Sequence, residues 1–333
     1  MKRTMVAMIM GMACVGVLIV TAFQPAFAAA AQANFPQKGR SITITAPNAP
    51  GGTADLTARL MAPVLEKELG IPVVVANKPG AGMQTGITAG ALAKPDGYEL
   101  IMTPVPGTTT IYMDPDRQAI PQIRQLQQVA LHNLDVLAVV VNVQSPFQTV
   151  KDVVDAAKAK PGEVKAVTDG LMNADHMSTL YFQRKTGTKF RLVHFDSGAL
   201  ASTALAGGHV DVRFGKVGSV YALLKAGKLR IIGIMDNKRS KFCPEVKTLE
   251  EQGFKDYKIW YNATGLSAPK GTPRATVDLI SNAIKKSVDS EDSQKRLDGV
   301  GLIGRYMGPD EFSALWKDYE KVVEEFVSEA KKP

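Results

Sequence analysis

The sequence predicts an α/β protein of two doubly wound lobes joined by short crossing strands. Three observations carry this. Short β-branched runs alternate with amphipathic segments along the whole chain, the pattern of sheets with helices on both faces. The 333 residues leave enough chain for two lobes rather than one after an N-terminal export segment is removed. No internal repeat, low-complexity tract or Ser/Gly linker interrupts the chain. The lobes are therefore expected to connect through crossing strands, with residues 35–138 plus 262–333 forming lobe 1 and 139–261 forming lobe 2.

The chain opens with Lys2 and Arg3, then an uncharged apolar run over 5–20, then Ala26-Phe27-Ala28 with small residues where a signal peptidase cuts. Residues 1–28 read as a cleaved secretory signal peptide, which places the mature protein in the periplasm. An uncleaved anchor is the weaker reading, because the run is short for a membrane span. Cleavage after Ala28 lowers the formal charge from +8 to +6 and leaves Cys243 as the sole cysteine, so no internal disulfide forms. The Lys and Arg residues are scattered, which argues against nucleic acid.

The elements follow in order. Residues 41–46 read as a strand and 53–69 as a helix, with Leu56, Leu60, Val64 and Leu65 on one face and Gly70 as its stop. Strands are expected at 72–76, 99–102, 137–141, 164–168, 191–195, 210–214 and 230–235. Helices are expected near 84–93, 151–160, 273–287 and 309–327. In the last, Phe312, Leu315, Trp316, Tyr319, Val323 and Phe326 recur at helical spacing and read as core packing.

In doubly wound sheets, ligands sit beyond the carboxyl ends of strands, where loops run into helix N-termini. Five loops qualify. Pro47-Asn48-Ala49-Pro50-Gly51-Gly52 lets backbone approach a ligand and ends at a helix start, where unpaired N–H groups and the helix dipole favour an anion; Asn48 and Thr53 can add donors. The same loop can equally be a tight turn with Thr53 as N-cap and Asp55 complementing the dipole. Asn77-Lys78-Pro79-Gly80-Ala81-Gly82 runs into Met83-Gln84-Thr85-Gly86, and its glycine spacing departs from the dinucleotide fingerprint. The other three are a Pro/Gly/Thr loop at 103–110, the Asp169-to-His176 segment, and Phe195-Asp196-Ser197-Gly198.

Enzyme signatures do not assemble. Lys185-Thr186-Gly187 and Ser267-Ala268-Pro269-Lys270 occur in reversed order for a penicillin-recognising serine enzyme, and no G-x-S-x-G elbow is present. His132, His176, His194 and His209 lack metal-ligand spacing. Neither catalytic residues, nor a metal, nor a cofactor is expected.

Blocks along nearly the whole mature chain carry a family pattern: Phe35-Pro36-x-Lys38; Pro50-Gly51-Gly52-x-x-Asp55 with Ala58-Arg59; Asn77 through Gly86; Lys94-Pro95-Asp96-Gly97-Tyr98; Gly207-Gly208-His209-Val210-Asp211; Ala226-Gly227-Lys228-Leu229-Arg230; and Ala268-Pro269-Lys270-Gly271-Thr272-Pro273. In these the sequence resembles the Bug family, the periplasmic receptors of tripartite tricarboxylate transporters. The resemblance implies a periplasmic-binding-protein-like (type II) fold with a hinge cleft that clamps a small carboxylate, held by backbone N–H groups of the first loop, often with ordered waters. It implies two membrane transporter subunits as partners and no catalysis. Carried onto this chain, the ligand site comprises Asn48, Pro50, Gly51, Gly52, Thr53, Met83, Gln84, Thr85, Thr103, Thr168, Asp169, Asn173, Asp175, His176, Phe195, Asp196 and Ser197. A monomer is expected.

The chain departs from the family pattern inside that site. Asn48 replaces an aromatic, Met83-Gln84 replaces Gly-Asn, Leu171 to Asp175 replaces a small Gly/Ser-rich loop, and Phe195-Asp196-Ser197 replaces Tyr-Lys-Gly. Asp196 puts an anion where the family has a cation, which favours a ligand amine or hydroxyl beside the carboxylate. Organic acids, amino acids and aromatic acids all remain open as ligands; for the last, Met83, Met172 and Phe195 can supply an apolar wall. A ligand sensor without transport is the alternative function, and a hydrolase on a similar scaffold the remoter one.

Overall fold

The computed structural model describes residues 35–255, 257 and 261–327. The signal peptide read in residues 1–28 lies outside them. In chain order the elements are β1 (Ile42–Ala46), α1 (Thr53–Leu69), β2 (Val73–Asn77), α2 (Gln84–Ala91), β3 (Glu99–Val105), α3 (Gly107–Met113), β4 (Gln127–Asp135), β5 (Leu137–Asn142), α4 (Val150–Ala159), β6 (Lys165–Thr168), α5 (Ala174–Thr186), β7 (Arg191–His194), α6 (Gly198–Ala206), β8 (Val212–Lys216), α7 (Val217–Lys225), β9 (Leu229–Ile234), β10 (Asn262–Ala268), α8 (Arg274–Asp289), α9 (Glu291–Gly299), β11 (Ile303–Met307) and α10 (Pro309–Val327).

Two sheets organise them. One has the order β11-β4-β10-β3-β1-β2, the other β7-β6-β8-β5-β9. Strands β1, β2 and β3 run parallel, as do β6, β7 and β8. The crossing strands β4, β5 and β10 pair antiparallel with their neighbours, so both sheets are mixed. Only Val136 separates β4 in the first sheet from β5 in the second.

Helix α1 buries Ala58, Met61 and Leu65 against Val277, Ile280 and Ile284 of α8. Each such aliphatic side chain contributes roughly 1.5–3 kcal/mol by leaving water. Gly70 ends α1 in the left-handed conformation at φ 68°, where a residue without Cβ costs least. The apolar stripe of α10 serves both sheets. Phe312, Trp316 and Phe326 share one cluster with Leu131 and Ala263 of the first sheet and with Val139 and Phe214 of the second.

Several elements were not legible as strands or helices. Strands β4 and β10 hide behind their own polar residues: His132, Asn133 and Asp135 on one, Asn262, Thr264 and Ser267 on the other, all buried. Such residues break the apolar run by which a buried strand is read. The expected loop at 103–110 is instead the end of β3 and the start of α3. The hydroxyls of Thr108, Thr109 and Thr110 donate to the carbonyls of Pro104, Pro106 and Gly107 at 2.8, 2.6 and 2.7 Å, so a polar-looking segment folds as a buried helix turn.

Candidate functional site

The parallel arrangement puts the loops after β1, β2 and β3 at one carboxyl edge, and those after β6, β7 and β8 at the other. At the first edge, Gly52 is the N-cap of α1 and makes no side-chain cap bond; Thr53 is already helical, not the cap that the turn reading placed there. The capping is done from below. Asp55, 2% exposed, accepts from the Gly51 N–H, the Asn77 amide and Arg59 Nε, each at 2.9 Å. Burial alone would raise its pKa, but the bonds from Arg59, Gly51 and Asn77 together hold the carboxyl below the usual range. Asn77 also donates to the Asn48 carbonyl at 3.0 Å, and the Gly52 N–H donates to the Ala49 carbonyl at 3.2 Å. Gly51 and Gly52 therefore shape the loop. Thr53 and Ala54 open the helix, where the first N–H groups have no intrahelical acceptor; Thr53 is half-buried and Ala54 buried. Asn48 Oδ1 is buried without a hydrogen-bond partner. Pro50 is exposed at the tip.

The second loop packs on the first. A Cβ at Gly86 would lie 2.8 Å from Pro47 Cα and 2.6 Å from the Lys78 carbonyl, so only glycine allows this approach. Met83 precedes α2 and its Cε lies over Gly107, 2.5 Å from where a Cβ there would stand. Gln84 Nε2 donates to the Arg117 carbonyl at 3.0 Å. Thr85 is exposed in the first turn of α2. Thr103 lies within the sheet, its hydroxyl 2.8 Å from Ser267 Oγ between β3 and β10.

At the second edge the site residues form a charged network. Arg213, fully buried, donates from Nε to Asp175 Oδ2 at 2.8 Å and from Nη1 to the Gly198 carbonyl and Ser202 Oγ at 2.9 and 2.6 Å. Lys216 bonds Asp169 and lies 3.4 Å from Asp175 Oδ1. Asp169 also accepts from Asn173, whose Oδ1 caps α5 through the His176 N–H at 3.0 Å. Burial opposes ionisation of Asp169, Arg213 and Lys216, yet mutual attraction wins: the acid stays below its ordinary range and both bases stay above theirs. Asp169 and Asp175 thus face buried cations of their own chain, although burial, aided by the nearby Asp169, still raises the Asp175 carboxyl against the pull of Arg213.

The histidine there is structural in its contacts. His176 Nδ1 accepts from the Met172 N–H at 3.0 Å, and its ring meets His194 edge-on at 4.9 Å. Burial, aided by His194, pushes its pKa down to about 4, so it is neutral at physiological pH. Thr168 bonds His194 Nδ1 at 2.7 Å and takes the Phe195 N–H on its carbonyl at 3.0 Å. Ser197 caps α6 by accepting from the Leu200 N–H at 3.3 Å, while Asp196 is exposed.

Arg117, which the sequence reading passed over, joins the two edges. Its guanidinium donates to the Ala81 carbonyl on one side and to the Leu171 carbonyl on the other, both at 3.2 Å. It sits in the turn Asp114-Pro115-Asp116-Arg117, which carries no periodic or motif signal. Two sizeable concavities lie elsewhere: one of about 760 Å³ beside Pro63 and Val74, the other of about 280 Å³ beside Phe182 and Phe254. Neither touches these loops.

Residues 57–330 match the family model described as tripartite tricarboxylate transporter family receptor. The chain is 30% identical over 287 residues to protein BugT of Bordetella pertussis, covering 84% of this chain and 85% of that one. It superposes on a solved periplasmic transporter with a TM-score of 0.81 at 28% identity, over 89% of this chain and 98% of the other. It also superposes on MatC from Rhodopseudomonas palustris with bound malate, TM-score 0.79 at 25% identity, over 87% and 99% of the two chains.

Proposed function

This chain belongs to the tripartite tricarboxylate transporter receptor family, and from that premise we propose that it captures a small carboxylate between its two edges and delivers it to the membrane subunits of such a transporter. In this reading residues 1–28 direct export to the periplasm and are removed. Lobe 1 (35–138 and 262–333) and lobe 2 (139–261) close about the crossing strands, and the membrane partner reads the closed form of a monomer. The protein performs no chemistry on its ligand.

The observation that carries the reading is the open start of α1. Asp55 holds the loop by its Gly51 N–H, and the first-turn N–H groups, which have no intrahelical acceptor and no side-chain cap, take the carboxylate with the helix dipole behind them. Malate in the related MatC supports a carboxylate as the anion. Asn48 Oδ1 lacks a donor and Asp196 is exposed, so both favour a ligand that carries a hydroxyl or amine beside its carboxylate.

A thermal-shift screen of the mature chain against mono-, di- and tricarboxylates, amino acids and aromatic acids tests this, with calorimetry on the responders. A ligand at one hundred times its Kd adds about 2.7 kcal/mol to the folded state. One acid selectively raising Tm is the expected result. No response from ligand-free, folded protein removes the carboxylate reading and brings the sensor function forward.

A further inference from the structure

Arg117 reaches across the cleft to backbone, not to side chains. On the near side its Nη1 lies 3.2 Å from the Ala81 carbonyl and 3.5 Å from that of Gly82; on the far side its Nη2 lies 3.2 Å from the Leu171 carbonyl. Nε faces Asp114 Oδ2 at 3.8 Å, and the side chain is only 15% exposed. A planar fork of fixed donors suits this bridging, whereas a lysine presents a single point charge.

A second, independent feature converges on the same residue. Among the described residues, four other than glycine have positive φ: Ala81 at 46°, Met83 at 78°, Gln118 at 49° and Met172 at 56°. Ala81 supplies one acceptor, Met83 follows another, Gln118 follows Arg117 itself, and Met172 follows Leu171. Such conformations persist only where the surroundings over-determine them, and they gather at clamps and switch segments. Leu171 is meanwhile 57% exposed, while Met172 beside it is buried in the core and donates its N–H to His176, so this loop is anchored to its own lobe and Arg117 meets it from across.

We propose that Arg117 is the clasp of the cleft, a positioning residue that holds the loop at 171–172 against the loop at 81–83 and so sets how long a ligand stays enclosed. The proposal rests on the hinge-closing reading above. Because the clasp grips carbonyls, its strength does not depend on which acid is bound. It raises the closed fraction for any ligand, and apparent affinity scales with that fraction.

The test is a distance measurement by electron spin resonance on the full mature chain. Spin labels go on exposed sites at opposite edges, Lys78→Cys and Leu200→Cys, with the buried Cys243 changed to Ser. Loss of one charge-assisted bond is expected to cut the closed-to-open ratio roughly ten-fold in Arg117→Ala. Arg117→Lys, which keeps length and charge and guards against a folding defect, is expected to lose part of the closed population. Distance distributions in both variants that superimpose on the parent overturn the clasp, as does a parent that shows no closed population with or without malate. If malate and every other acid of the screen leave the parent unmoved while Arg117→Ala still opens it, the carboxylate reading fails and the clasp stands.

Discussion

Asp55→Asn separates the loop's shape from its sequence. The native carboxylate takes Gly51 N–H on Oδ2, and the Asn77 amide and Arg59 on Oδ1. An asparagine has the same outline but one oxygen too few. If its oxygen faces Asn77 and Arg59, its NH2 group confronts the Gly51 N–H; if it flips, the NH2 confronts the other two donors. Either way a buried donor loses its acceptor, at about 1–3 kcal/mol, and the favourable charge in the first turn of α1 goes too, at about 0.3–1 kcal/mol. The expected cost is therefore about 1–4 kcal/mol of unfolding free energy, read by urea denaturation. The freed Gly51 no longer fixes the α1 entrance, so Kd for the best acid of the screen is expected to rise about ten-fold, the equivalent of 1.4 kcal/mol. The folded pKa of Asp55 is depressed. Its contribution is hence complete above the unfolded value near pH 3.9 and is lost only as pH falls through the lower folded value. A variant within about 0.5 kcal/mol of the parent and with the same Kd would refute the idea that Asp55 holds the loop.

Three further outcomes follow from the same contacts. Asp175→Asn leaves the buried Arg213 without its main partner and should cost about 3–5 kcal/mol in urea denaturation; Asp175→Asn with Arg213→Met should recover much of it, and purely additive losses would show that the pair is not coupled. Gly86→Ala drives a Cβ into Pro47 and the Lys78 carbonyl, so it should cost about 1–3 kcal/mol and weaken acid binding by displacing the first loop; unchanged stability and affinity would mean that the two loops move independently. Burial pushes His132 down to about 4, so the unfolded chain binds a proton near pH 6.5 that the folded chain refuses until about pH 4. Stability should thus fall by up to about 3 kcal/mol from this group as pH drops through that window, with His176 adding in the same sense and Asp135, pushed up to about 7 chiefly by burial, opposing. His132→Gln should flatten that slope, and an unchanged slope would count against it.

Much of the frame was visible in the residues because it obeys local rules. Helix α1 ran from Thr53 to Leu69 with Gly70 as its stop, but its buried face is Ala58, Met61, Leu65 and Leu69, with Leu56, Leu60 and Val64 only half-buried, because the small Ala58 lets the helix approach α8 there. Helix α10 packed the stripe that its spacing marked. The loops of interest were locatable because strand-to-helix transitions at Pro47, Asn77, Asp169 and Phe195 carry glycines and capping residues. What those loops contact was another matter. Asp169 and Asp175 read as candidate ligand contacts, yet their cations, Arg213 and Lys216, come from a strand some forty residues on, and no local pattern shows that they face inward. Asp55 read as a dipole partner, and its acceptor role toward Gly51 and Asn77 depended on how β2 lies beside β1.

The sequence by itself determined the alternation of elements, the two-sheet architecture and the family. These depend on periodicity, turn chemistry and backbone groups, which are properties of neighbouring residues. The tertiary structure decided which strands cross and run antiparallel, which acids face buried cations, and that Arg117 spans the two edges. Those outcomes depend on groups far apart in the chain meeting at 3 Å in a low-dielectric interior, where the pairing of donor with acceptor and charge with charge, invisible to any local pattern, governs what each residue can do.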